Sequence, residues 1–95
     1  MIFNIYKYLK YDLRNDFQLT KEACRLNGLN LEFTSLDLQN NFEIGNIAMK
    51  ENASSYYYLS KELKKNVELI KIGVKKNKQI FFTLSDDLRI FQKFI

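Results

Sequence analysis

The sequence contains no proline and no histidine, and among its 95 residues there are only three glycines and one cysteine. Proline breaks helices and glycine weakens them, so a chain poor in both is predicted to be mostly helical. The single cysteine, Cys24, excludes an intramolecular disulfide and favours a reducing compartment. No run approaches the roughly 20 apolar residues of a membrane span, and no signal-peptide pattern is found. We therefore expect a soluble cytoplasmic protein that does not act at a membrane.

The residues that most enzymes and metal sites require are also missing. Without histidine, the chain lacks the commonest general base and the commonest metal ligand. One cysteine cannot complete a zinc site, which usually takes four ligands drawn largely from cysteine and histidine. Neither standard glycine-rich phosphate loop is present, and the serines have no histidine to activate them. We expect no enzymatic activity, no cofactor and no metal.

An internal repeat organises the chain. Similar residues recur at a fixed spacing along the chain. We call the positions related by this spacing a column; positions 13 and 38, for example, belong to one column. The clearest columns are Leu13, Leu38, Leu63 and Leu88; Asn27, Asn52 and Asn77; Ser35, Ser60 and Ser85; and the acidic set Asp12, Asp37, Glu62 and Asp87. The columns predict a single repeat domain over 1–95, with a half-unit at 1–10, whole units at 11–35, 36–60 and 61–85, and a truncated unit at 86–95.

Each unit is predicted to contain two short helices. In the second unit, Asn40 or Asn41 is expected to cap the first helix, whose apolar residues form one stripe. Asn52 is expected to end this helix in the left-handed conformation that asparagine tolerates. A shorter helix should follow over 54–59, and Ser60 should cap the next turn.

Helices this short are unstable alone, so the units must stack to bury their apolar stripes. The predicted fold class is all-α, with short α-helical repeats of 25 residues stacked as a small solenoid of about seven or eight short helices. Ala23, Ala48 and Gly73 should mark the closest approach of neighbouring helices. Cys24, in the column of Met49, is interpreted as a core side chain.

The stretch from Ser60 to Leu69, followed by Gly73-Val-Lys-Lys-Asn77, resembles the bacterial and viral repeat family called domain of unknown function 4116. Units of that family run roughly Ser-x-Glu-Leu-Lys-Asn-Asp-x-Glu-Val and then Ala-Val-Lys-x-Asn-Gly. Here Ala53 and Lys78 stand where the family prefers glycine, so those two loops are expected to be built differently. The resemblance implies a helical repeat fold, and it carries over no activity and no catalytic residue.

Aromatic residues supply the first candidate binding surface. Tyr57 shares a column with Glu32 and Phe82, and a glutamate at that position indicates exposure to solvent. Exposed aromatic side chains are typical anchors of protein interfaces. The alternative is that Tyr57 and Phe82 both fold inward.

Basic residues supply the second candidate surface. The net charge is +4, and residues 61–95 carry nine basic and four acidic side chains, which gives +5. The candidate partner-binding cations are Arg25, Lys50 and Lys75 in one column, Lys64 and Arg89 in another, and Lys71. Stacking would turn these columns into stripes that contact phosphates or an acidic protein surface. The alternative is a solvated face that confers solubility.

Two functions follow as hypotheses. The leading one is a non-enzymatic helical-repeat protein that binds another protein, for example a small stoichiometric inhibitor such as a phage-encoded anti-CRISPR blocker of a host nuclease. The alternative is binding of RNA or a ribonucleoprotein, with basic stripes on the phosphates and exposed aromatic rings stacked on bases. At the C-terminus, Phe91, Phe94 and Ile95 are expected either to fold back as a lid or to form a homodimer contact; otherwise the protein is a monomer.

Overall fold

The computed structural model describes residues 5–84, and every regular element in that range is a helix. In chain order the elements are η1 (Tyr6–Tyr8), α1 (Tyr11–Arg14), α2 (Phe17–Leu26), η2 (Gly28–Phe33), α3 (Leu36–Gln39), α4 (Phe42–Glu51), η3 (Ala53–Tyr58), η4 (Leu63–Lys65), α5 (Val67–Lys76) and η5 (Lys78–Thr83), where η denotes a 3₁₀ helix. The fold measures 41 × 21 × 17 Å, the elongated form of a stack. None of these helices is long and apolar enough to cross a membrane.

The period of the sequence is also the period of the structure. The three ten-residue helices α2, α4 and α5 begin at Phe17, Phe42 and Val67, which share one column of the repeat. The six-residue 3₁₀ helices η2, η3 and η5 that follow them also begin in one column. The predicted all-α helical repeat is therefore confirmed. Each unit is divided more finely than expected, because a separate short helix precedes each long one.

Each long helix begins at a polar side chain that caps it. Asp16, Asn41 and Asn66 occupy one column, and each accepts a hydrogen bond from the backbone N–H three residues later, at 2.8, 3.0 and 3.1 Å. An N-cap of this kind satisfies one of the N–H groups that the first helical turn leaves unpaired. Of the two residues predicted to cap α4, Asn41 is therefore the one that does so.

The asparagines that end the long helices are extended, and the expected left-handed conformation is wrong. The φ angles are −154° at Asn27, −150° at Asn52 and −144° at Asn77, and no residue within 5–84 has a positive φ. Each side chain instead accepts a hydrogen bond from the backbone N–H two residues later, at 2.9 to 3.1 Å. One asparagine thus ends an α-helix and starts a 3₁₀ helix, so the second helix of the unit begins one residue earlier than predicted and is not an α-helix.

The loops after these asparagines are alike although Gly28, Ala53 and Lys78 differ, so the expectation that they are built differently is also wrong. Gly28 is not required for its backbone angles. A Cβ there would lie 2.2 Å from the carbonyl oxygen of Ala48 and 2.8 Å from the hydroxyl of Ser55. Glycine therefore allows the first two units to approach each other at this point.

A recurrent serine joins the second and third units to the units before them. The backbone N–H of Ser60 donates to the carbonyl of Gln39 at 3.0 Å, and its hydroxyl donates to the side-chain oxygen of Asn40 at 2.5 Å. The same hydroxyl accepts a hydrogen bond from the backbone N–H of Leu63, as predicted for a cap. Ser35 makes the equivalent three contacts one unit earlier. This serine therefore starts a short helix and fixes it to the preceding unit.

The long helices meet at the column of small residues. Ala23 and Ala48 have no exposed surface, and a Cβ on Gly73 would lie 2.8 Å from the terminal methyl group of Met49 in the preceding long helix. Gly73 therefore packs against the long helix before it, and the closest approach of the long helices at this column stays a prediction. Cys24 is fully buried in the same layer, which confirms its interpretation as a core side chain.

We expect Gly28→Ala to lower the free energy of unfolding by about 1–3 kcal/mol, because the added methyl group would press against backbone that cannot rotate away. Gly45→Ala is the matched control. A Cβ on residue 45 would lie 2.8 Å from the flexible end of the Leu59 side chain. Residue 45 also lies inside a helix, where alanine is more favourable than glycine by about 1 kcal/mol. Urea unfolding followed by circular dichroism measures both variants. A Gly28→Ala midpoint equal to that of the wild type would contradict the close approach of the two units.

Burial raises the pKa of the Cys24 thiol from 9.0 to about 12, although its hydrogen bond with Thr34 acts in the opposite direction. Because the folded pKa is the higher one, the contribution to stability is complete below pH 9 and is lost as the pH rises from 9 towards 12. Between pH 8 and 10.5 we expect the wild type to lose about 1–2 kcal/mol more unfolding free energy than Cys24→Ala. Urea unfolding of both proteins at the two pH values tests this, and equal losses would contradict the buried thiol.

Candidate functional site

The short helix of the third unit differs in chemistry from those of the first two. Three of its positions have become lysines: Lys61 replaces Tyr11 and Leu36, Lys64 replaces Arg14 and Gln39, and Lys65 replaces Asn15 and Asn40. Like charges three and four residues apart disfavour an α-helix. This stretch accordingly forms only the 3₁₀ helix η4, whereas α1 and α3 at the equivalent place are α-helical.

The side chains in the column of Lys64 fill the junction between a short helix and the 3₁₀ helices beside it. In the first unit, Nε of Arg14 donates to the carbonyl of Leu9 at 2.9 Å, and Nη1 donates to the carbonyl of Phe33 at 2.9 Å. In the second unit, Nε2 of Gln39 donates to the carbonyl of Leu31 at 2.9 Å. These bonds satisfy backbone carbonyls and close the junction.

The corresponding junction of the third unit is open. It forms a groove of about 380 Å³, lined by Tyr56, Tyr57, Lys61, Lys64, Lys65, Thr83 and Leu84. The ammonium group of Lys64 makes no hydrogen bond or ion pair with residues 5–84. We call this the lysine groove.

The lysine groove has an apolar floor and a cationic rim. Tyr56 and Leu84 are nearly fully buried, and the hydroxyl of Tyr56 is fixed by a hydrogen bond to the carbonyl of Lys64 at 2.9 Å. The ring of Tyr57 stands edge-to-face against Tyr56, with ring centres 5.9 Å apart and an angle of 82° between the planes. Burial raises the pKa of Tyr56, so this phenol stays neutral at physiological pH. Such a groove can hold an apolar side chain while lysine ammonium groups contact acidic neighbours.

Tyr57 and Phe82 are both exposed, at 41% and 66% of their surface, so the alternative in which they fold inward is wrong. They occupy the same position of η3 and η5, and each packs edge-to-face on the aromatic residue before it. Only Tyr57 lines the lysine groove. Their role in binding a partner stays a prediction.

The predicted basic column is exposed but only partly available for a partner. Arg25, Lys50 and Lys75 lie at the ninth position of successive long helices, and all three are exposed. The guanidinium of Arg25 is engaged by Glu22, at 2.5 and 2.8 Å, and this contact lowers the pKa of the Glu22 carboxyl group. Within residues 5–84, Lys50 and Lys75 form no ion pair through their ammonium groups. Their role in binding also stays a prediction.

The other predicted site residues divide between the third unit and the chain end. Lys71 is half-buried on α5 and does not line the lysine groove. The proposed cation at position 89 and the three proposed lid or dimer residues lie outside the described residues; these are Arg89, Phe91, Phe94 and Ile95. In the described part of the chain, no three side chains of the metal-binding types are grouped as a metal site requires.

Five lining residues were absent from the predicted site, namely Tyr56, Lys61, Lys65, Thr83 and Leu84. Lys61 and Lys65 belong to the basic surplus of residues 61–95, but neither lies in a column where basic residues recur. The sequence signal for the groove is lysines that do not recur from unit to unit. The columns of Lys61 and Lys65 contain lysine only in the third unit, and the first two whole units carry apolar and amide side chains there.

Comparison with known proteins supports the repeat. The family model for the domain of unknown function 4116 matches residues 3–39, 16–64 and 41–89. The second and third matches begin one repeat apart and also end one repeat apart. The same spacing separates α2 from α4. No curated protein and no solved structure matches the chain. Because the matches together extend from residue 3 to residue 89, the chain belongs to the repeat family called domain of unknown function 4116.

Proposed function

We propose that this protein is a non-enzymatic binding module that holds another protein on the surface of its third unit. The observation that carries the proposal is the lysine groove, where the exposed ring of Tyr57 and the cations of η4 surround a floor of buried apolar side chains. Protein interfaces combine an aromatic or apolar centre with a polar rim in this way. Binding in the groove involves no chemical step. The protein therefore acts by occupying a surface of its partner, as a stoichiometric inhibitor or an adaptor does.

The positive charge of the chain is concentrated in its third unit. The unit at 61–85 contains seven lysines and two glutamates, a net charge of +5. The unit at 11–35 has three basic and four acidic residues, a net charge of −1, and the unit at 36–60 has one basic and three acidic residues, a net charge of −2. Electrostatic attraction therefore steers an acidic partner to the third unit and away from the other two.

A cytoplasmic location is part of the proposal. Its support is the single cysteine, Cys24, which is buried and makes no disulfide. Proteins of oxidising compartments more often carry paired cysteines.

RNA is the second candidate partner, because lysines beside an exposed tyrosine also suit phosphates and a stacked base. Proteins that bind single strands usually offer a basic track along several nucleotides. The net negative units at 11–35 and 36–60 interrupt such a track, and we therefore favour a protein partner.

The test is capture of partners from a lysate of the native host, with and without ribonuclease. We expect the wild type to retain a protein after ribonuclease treatment, and the Tyr57→Ser/Phe82→Ser double variant to retain at least tenfold less, because the aromatic anchors are removed. Leu36→Ser is the matched control. Leu36 is 79% exposed on α3, one unit away from the lysine groove, so this change removes exposed apolar surface without altering the groove.

Circular dichroism should first show that all three proteins are folded. Loss of capture after ribonuclease would replace the protein partner by RNA. Equal capture by the wild type and the double variant, or an equal loss with Leu36→Ser, would contradict the assignment of the binding surface to the third unit.

A further inference from the structure

We infer that the lysine groove binds a short acidic segment of the partner, with one aliphatic or aromatic side chain entering the groove and carboxylates on either side of it. The inference rests on the proposed function, since it specifies what the protein partner presents.

The groove lies where the third unit departs from the pattern of the first. At the same junction in the first unit, Arg14 bonds to the carbonyls of Leu9 and Phe33 and so occupies the space with a side chain of the protein itself. Two units later the corresponding carbonyls belong to Leu59 and Thr83, and Lys64 makes neither bond. The groove therefore lies at a junction where the third unit lacks the side-chain bonds that Arg14 makes in the first.

The size and lining of the groove suit a single anchor side chain. Pockets for small ligands run from about 300 to 1,000 Å³, so a groove of about 380 Å³ has room for an anchor side chain and the backbone beside it, but not for a folded domain. Tyr56 and Leu84 provide an apolar floor for such an anchor. The fixed hydroxyl of Tyr56 holds this floor in place before the partner arrives. A preformed site binds more tightly because less conformational freedom is lost on binding.

The charge at the rim of the groove is complementary to an acidic segment. Lys61, Lys64 and Lys65 have no ion-pair partner within residues 5–84. The neighbouring acidic residue Glu62 offsets only one of them, so the stretch 61–65 retains a net charge of +2. Carboxylates that flank an anchor residue would pair with these ammonium groups.

The confinement of the positive charge to one unit also limits the length of the acidic segment. A segment of a few residues stays on the third unit, whereas a long polyanion would extend over surface whose net charge is negative. This limit favours a short peptide over an RNA strand.

The experiment is selection from a displayed library of random 12-residue peptides on the folded, full-length protein, followed by measurement of Kd for the most enriched peptide by fluorescence anisotropy. We expect the enriched peptides to carry two or more Asp or Glu residues within three positions of a Leu, Ile, Phe or Tyr. Raising the salt concentration should weaken their binding, because the rim contacts are exposed ion pairs.

Two triple variants with the same change in net charge separate the rim from the overall charge. Lys61→Gln/Lys64→Gln/Lys65→Gln should raise Kd about tenfold, since each exposed ion pair contributes a factor of roughly two. Lys7→Gln/Lys10→Gln/Lys21→Gln changes lysines of the half-unit and the first unit, which do not line the groove, and should alter Kd by less than about twofold.

Enrichment of neutral or basic peptides, or equal effects of the two triple variants, would overturn the inference. Competition by an octauridylate probe, added at the same concentration of negative charge as the peptide, would also overturn the inference, because it would assign the groove to RNA. The rim variant should also be used in the capture experiment with host lysate. A protein partner that is lost with Tyr57→Ser/Phe82→Ser but kept with the rim variant would leave the proposed function standing and overturn the acidic segment alone.

Discussion

The long helices of this protein have ten residues each, a length at which a helix does not persist in water without help. The other features of the fold stabilise these short helices. Side-chain caps pair the N–H groups at the start of each long helix, the small column lets the helices approach one another, and the serine of each boundary fixes a short helix to the preceding unit. Stability is therefore a property of the stack and not of one unit, as in other solenoids.

The same constraint explains where a binding site could arise. A stacked repeat must close the junction between units, and Arg14 and Gln39 do this with side chains that bond to backbone carbonyls. Once the serine contacts and the core hold two units together, the residue at this junction is free to change. In the third unit it is Lys64, and the space that its counterparts fill becomes the lysine groove. Under the proposed function, a structural position of the repeat has become part of a surface for a partner.

Periodicity made much of the fold predictable. Columns that recur once per unit indicate helices of equal length, a cap at the start of α4 and a close approach at Gly73, because these features depend on residue type at one position of the unit. The extended conformation of Asn52 was not predictable in the same way. Both helix-ending geometries suit asparagine, and the choice depends on whether its side chain bonds to the following backbone N–H, as it does here.

The candidate site was only partly predictable for a related reason. Exposure of Tyr57 followed from the glutamate in its column, since a charged side chain at one unit indicates solvent at the others. The lysine groove, in contrast, is built from η3, η4 and the end of η5, which belong to different units. A comparison within columns shows what the units share. The groove depends on what the third unit alone contains, and on segments that become neighbours only when the stack forms.

The most direct test of the central claim is site-specific photo-crosslinking from inside the lysine groove. A benzoylphenylalanine residue would replace Tyr57 in one sample and the exposed Leu36 in another, and both would be irradiated in lysate of the native host. The account predicts an adduct with a protein at position 57, unaffected by ribonuclease, with no such adduct at position 36. An adduct that ribonuclease removes, or equal crosslinking at the two positions, would contradict a protein-binding groove in the third unit.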